Sequence, residues 1–253
     1  MGVPLVWSGW AGISGLVCSG VASLPAVSIP PPLRGGKQII PRPAGTRIGG
    51  PAPWSHLADE DRVLDPVRVR ERCMLLDPPL GVPTALVDAR PAAVLVALFP
   101  VDGETHLVLM KRPDSAPSHK GEISFPGGNR SSNDANLRET ALREAHEEVG
   151  IRPETVEVLA ELPTIGTVKG AFAITPFVGF IAERPALLPD PREVDKVFTV
   201  ALSELLHPET WHSERWDLWG EEFDMSFYLL ENETVWGATA RILTGLLVSL
   251  TEF

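Results

Sequence analysis

Glu144, Glu147 and Glu148 stand within the run Arg143-Glu144-Ala145-His146-Glu147-Glu148-Val149-Gly150. Wound as an α-helix, positions i, i+3 and i+4 share one face, so three carboxylates crowd a single turn. Like charges at that spacing destabilise a helix by roughly 0.2–0.5 kcal/mol per pair, and a divalent cation between them would offset the repulsion. On the other face Leu137, Ala141, Ala145 and Val149 recur every four residues with Leu142 beside them, the stripe of a helix laid on a sheet. Asn133, Asp134 and Asn136 offer N-caps, and Gly150 followed by Pro153 ends the helix. Upstream, Phe125-Pro126-Gly127-Gly128 reads as a short strand entering a glycine turn, where missing side chains admit close approach of backbone or ligand. Three glutamates on a helix face are by themselves most often a solvated surface. The preceding glycine turn, the Arg143-Glu144 pair and the stop at Gly150 shift the reading to metal binding. Arg143 is expected to pair with carboxylates of its own helix or of the loop before it, and His146 to face solvent.

The run from Gly128 resembles the Nudix box, with Gly128, Arg143, Glu144, Glu147, Glu148 and Gly150 on the family pattern and Ile151 as its closing aliphatic residue. Asp134 fills the first acidic position, and one extra residue separates it from Arg143. Both features look like the coenzyme A diphosphatase branch. Arg112, His119, Gly121, Glu122 and Phe125-Pro126-Gly127-Gly128 fall where that branch has an additional signature, whereas Met110, Pro113, Ala116 and Pro117 replace its usual Thr, Ser, Leu and second Arg. The resemblance spans about Pro91 to Phe253, where Trp236-Gly237-Ala238-Thr239-Ala240-Arg241 also looks like the branch's terminal helix. It implies an α/β fold, a Nudix-type α/β/α sandwich with a mixed β-sheet between helices. It also implies hydrolysis of coenzyme A or its derivatives to 4′-phosphopantetheine and adenosine 3′,5′-bisphosphate.

Diphosphate hydrolysis brings water to a phosphorus ringed by negative oxygens, so it depends on neutralising and positioning charge, which Mg²⁺ or Mn²⁺ can do. Glu144 and Glu148 are expected to ligate the principal ion and Glu147 that ion or a second one. Glu144 is the first choice of general base, with Glu193 or Asp195 of an acidic loop as the alternative. Arg112 is expected on the substrate phosphates. His119 would contact substrate or hold its loop, and Gly127 and Gly128 complete the substrate side. Two other readings stay open: a Nudix hydrolase of ADP-ribose or a dinucleotide, since Pro117 replaces an Arg, and a non-catalytic ligand-binding module of the same fold.

Several elements must hold these groups. Ala92 to Phe99 is an apolar run of strand length, Asp102-Gly103 a turn, and His106 to Lys111 the returning strand. Val156 to Leu162, Ile174 to Ile181, Val197 to Leu202 and Phe223 to Leu230 read as further strands, with a helical turn over Ser203 to Leu206. Val235 to Leu250 is an amphipathic helix. Trp211, Trp216 and Trp219 read as packing residues and not as a base-stacking platform. Before this domain (91–253), residues 54–90 read as a linker with a short helix over Arg62 to Leu76. Residues 1–53 read as a Pro/Gly-rich, disordered extension whose uncharged first 33 residues are expected to be a disordered or mis-assigned leader.

Composition sets the remaining bounds. A domain of about 160 residues can bury about two-thirds of its surface without staples. Cys18 and Cys73 are the only cysteines, which suits a reducing, cytoplasmic setting. A net charge of −11 argues against attachment to nucleic acid or anionic membrane and leaves a small nucleoside diphosphate derivative as the expected partner. A homodimer is compatible with the sequence.

Overall fold

The computed structural model describes residues 34–252 except 78, 80, 84, 85, 117, 118, 168–171 and 219. The expected leader over residues 1–33, and Cys18, Pro117 and Trp219, lie outside the described residues. In chain order the elements are β1 (Arg47–Ile48), α1 (Pro66–Met74), β2 (Arg90–Val101), β3 (Glu104–Lys111), β4 (Ile123–Ser124), β5 (Gly127–Asn129), α2 (Leu137–Val149), β6 (Val156–Glu161), β7 (Ile165–Gly166), β8 (Phe172–Ile181), β9 (Lys196–Ala201), α3 (Leu202–Leu206), β10 (Trp211–Leu218), β11 (Glu221–Leu230), β12 (Glu233–Val235) and α4 (Gly237–Thr251).

Alternation along β2 separates two cores. Ala93, Leu95, Ala97 and Phe99 pack with Val108, Met110 and the Ala141, Ala145 and Val149 stripe of α2. Val96 and Leu98 point the other way, into a cluster with Leu107, Leu109, Val69 and Cys73 of α1, and Ile242, Leu243, Leu246, Leu247 and Leu250 of α4. Successive side chains of a strand face opposite sides, so a continuous apolar run is what a sheet covered on both faces requires. The sheet is mixed: β2 runs parallel to β8 and antiparallel to β3 and β5, while β9 and β4 flank β3. Helices on both faces make the expected α/β/α sandwich. Asp102 and Gly103 close the β2–β3 hairpin with φ of 50° and 84°, the positive values a two-residue hairpin turn demands.

Residues 34–76, which precede the domain read from residue 91 on, pack against it. Trp54 is 1% exposed and lies 5.8 Å from Trp211 and 6.4 Å from Tyr228, ring centre to ring centre. Strand β1 adds to the second sheet, of order β1-β10-β11-β12. Arg42 pairs with Glu214 at 2.8 Å, Arg34 with Glu204 at 2.8 Å, and Arg47 with Glu222. The partners of this segment lie far along the chain, so its Pro/Gly punctuation carries no local trace of them. The short helix of the expected linker is α1, capped by Asp65, which accepts from the N–H groups of Val67 and Arg68 at 3.0 Å.

Candidate active site

Helix α2 is placed before it is functional. Of the three possible N-caps, Asn136 serves: its Oδ1 accepts from the N–H of Glu139 at 3.0 Å, and Glu139 Oε2 accepts from the N–H of Ala135 at 2.8 Å. Gly150 caps the other end in the left-handed region, with φ 77°. Ala141, Ala145 and Val149 are fully buried against the sheet. That roll angle carries Glu144 and Glu148 toward β5, and leaves His146 and Glu147 exposed.

Strand β5 meets the two glutamates through its glycines. The N–H of Gly127 donates to Glu148 Oε2 at 2.8 Å, and a Cβ added to Gly128 would come 2.6 Å from the Glu144 carboxylate. A Cβ at Gly127 would strike the backbone of β2, 2.3 Å from Ala93 O, which is why this strand can lie so close. Gly127 and Gly128, expected on the substrate side, thus commit their space and one N–H to seating the helix carboxylates.

Arg143 ties the loop to the helix. Its guanidinium donates to both oxygens of Asp134, Nε to Oδ1 at 2.9 Å and Nη2 to Oδ2 at 3.0 Å, and Nη1 lies 2.9 Å from Glu144 Oε1 and from Glu147 Oε2. The Arg143 hydrogen bonds hold the buried Asp134 carboxyl well below the usual carboxylate range, helped by donation from the N–H of Ser131 at 2.8 Å and the hydroxyl of Thr140 at 2.9 Å. The sequence carries no signal for Thr140, a buried residue that supports an acid six positions away.

The expected triad of carboxylates is therefore divided. Glu148 is 2% exposed, and burial pushes its carboxyl up to about 8, with the charges of Glu144 and Glu193 adding and the Gly127 N–H and Arg112 opposing. Burial also raises Glu144, against the pull of Arg143 and with Glu147 and Glu193 adding to it. Glu147 is held outward on Arg143. Among the described residues no three His, Cys, Asp or Glu side chains stand assembled as an ion cage. The chemistry of the donors nevertheless fits a hard divalent cation: two partly or fully buried carboxylates in mutual repulsion meet one arginine, and a cation is the charge that would balance them.

Arg112 lies within electrostatic reach of Glu148, and its buried Nε has no hydrogen-bond partner. Glu193 acts on both Glu144 and Glu148, so of the two loop acids considered it is the one brought to the box; Asp195 is exposed and donates its N–H to Lys111 O at 2.9 Å. His119, expected either to contact substrate or to hold its loop, bonds through Nδ1 to Glu122 Oε2 at 2.8 Å within that loop. Trp211 and Trp216 are buried at 8% and 3% exposure, as packing residues.

Residues 89–219 match the family model described as NUDIX domain. A Nudix hydrolase named NudL from Photorhabdus laumondii is 37% identical over 154 residues, covering 61% of this chain and 81% of that one. NudL from an Enterobacter species is 37% identical over 165 residues, 65% of this chain and 85% of the other. The chloroplastic Nudix hydrolase 22 of Arabidopsis thaliana is 36% identical over 159 residues, covering 60% and 52%.

Proposed function

This chain belongs to the Nudix family and is a pyrophosphohydrolase, and from that premise we propose that it cleaves the diphosphate bond of coenzyme A or its derivatives, with Mg²⁺ or Mn²⁺. The observation that carries the reading is the seating of Glu144 and Glu148 on Gly128 and Gly127 beside Arg112. The choice of coenzyme A rests on the branch signature: Asp134 with its extra residue, and Arg112, His119, Gly121 and Glu122 upstream.

Glu144 and Glu148 would hold the ion, with Glu147 as a further ligand once released from Arg143. When bound, the ion neutralises phosphate oxygens and acidifies water. Arg112 presents a planar fork of donors to the diphosphate. Glu193 is the loop carboxylate nearest in effect to the box, and Glu144 or Glu193 takes the proton of the attacking water. Arg143 and Asp134 keep the loop and helix in register while this happens. The leaving products are 4′-phosphopantetheine and adenosine 3′,5′-bisphosphate.

Incubation of coenzyme A with the protein and Mg²⁺ or Mn²⁺, followed by mass spectrometry, tests the reading. The two products must appear together. Cleavage of ADP-ribose or a dinucleotide with coenzyme A left intact would instead select the second reading, which Pro117 in place of an arginine favours. A reducing cytoplasmic setting agrees with the paucity of cysteine, and Cys73 is buried and unpaired. Among the described residues no helix is long and apolar enough to cross a membrane.

A further inference from the structure

Lys111 and Lys196 face each other directly across the last rung of the β3–β9 ladder. Like charges opposed in an antiparallel pair are destabilising, and strands normally avoid the arrangement. One buried carboxylate meets both: Glu233, with a side chain 5% exposed, lies 3.1 Å from Lys111 Nζ and 3.5 Å from Lys196 Nζ, and also accepts from Gln38 Nε2 at 2.8 Å. Two ammonium groups share one carboxylate, so the cluster keeps a surplus positive charge in a chain of net charge −11. The surplus is reachable, because the Lys196 side chain is 48% exposed while that of Lys111 is 25% exposed. Lys196 Nζ is further placed 5.1 Å from the centre of the Phe198 ring.

The position in the fold gives the surplus a use. Lys111 ends β3 and precedes Arg112, and consecutive Cα atoms are about 3.8 Å apart. Lys196 begins β9, three positions after Glu193. The lysine pair thus forms the rim of the sheet where the loops carrying Arg112 and Glu193 leave it, with side chains on the face of Leu109 and Phe198. An anionic substrate whose diphosphate engages Arg112 and whose nucleoside turns over that rim would set a second phosphate against the lysines.

We propose that Lys111 and Lys196 form a subsite for the ribose 3′-phosphate of the substrate, Glu233 and Gln38 fixing the two stems and Lys196 contributing the accessible charge. The subsite deepens, and rests on, the coenzyme A reading, since that substrate carries a 3′-phosphate and ADP-ribose does not. Calorimetric titration of the full chain with adenosine 3′,5′-bisphosphate and with adenosine 5′-monophosphate, without turnover, tests it. The wild type is expected to bind the bisphosphate about tenfold tighter, K196Q to lose about five- to tenfold for the bisphosphate alone, and K196R to restore it. Equal affinity of the wild type for the two nucleotides, or an equal loss for both in K196Q, overturns the subsite. Failure to cleave coenzyme A with the nucleotide preference intact would remove the substrate assignment and leave the subsite, whereas cleavage without the preference would do the reverse.

Discussion

The Glu144 carboxylate lies where a side chain on residue 128 would begin, 2.6 Å from the ideal Cβ position of Gly128. The overlapping atoms are the far end of a flexible side chain and not backbone, so G128A leaves the fold room to adjust by turning Glu144 away. We expect a melting temperature within a few degrees of wild type and a fall in kcat of about 10²-fold, the effect of misplacing a catalytic group by about 1 Å. G127A is the contrast. There the neighbour is the β2 backbone and φ is 156°, so strain of about 1–3 kcal/mol adds to the overlap and stability falls.

Glu148 places a buried carboxyl beside Glu144, and burial lifts it to about 8, so near pH 7 the ion-free protein must take up a proton there on folding, at a cost in stability. E148Q keeps the volume and removes that cost, so the ion-free variant should melt higher than the ion-free wild type. Mg²⁺ should raise the melting temperature of the wild type and leave E148Q unmoved, and activity should fall by about 10²-fold or more. Wild-type turnover by E148Q at saturating Mg²⁺ would remove Glu148 from the ligand set.

Asp134 is a stability device that works at neutral pH. Its folded-state pKa is depressed by Arg143, so its contribution is present above the unfolded value near 3.9 and disappears as pH falls toward the folded one. D134N should lose about 1–3 kcal/mol at pH 7, because it unpairs a partly buried arginine, and the gap to wild type should narrow below about pH 4. Urea denaturation at pH 7 and pH 3.5 measures both values.

Glu193 reaches both box glutamates electrostatically although it is exposed. If it takes the proton from water, E193Q lowers kcat by about 10²-fold or more with its denaturation midpoint unchanged, and D195N does not. Wild-type kcat in E193Q assigns the base to Glu144.

Trp54 joins residues 34–76 to the second sheet. W54A removes a fully buried indole stacked on Tyr228 and edge-on to Trp211, and should cost about 3–5 kcal/mol. A loss below about 1 kcal/mol would show that this packing contributes little to the stability of the fold.

Residue types and local spacing determined the chemistry and the elements that bear it. The glutamate spacing, the alanine stripe and Gly150 defined α2, and the apolar run at Ala92 to Phe99 defined β2, because helix and strand periodicities are properties of the backbone itself. Asp134 and Arg143 were visible as a box pair, and the hydrogen bonds between them follow from their place on loop and helix. Only the tertiary structure decided that Glu144 and Glu148 rest on Gly128 and Gly127 while Glu147 turns to Arg143, that Trp54 belongs to the core, and that Lys111 meets Lys196. Each of these depends on the register of strands and the roll of a helix against a sheet, which long-range burial selects and no local pattern encodes.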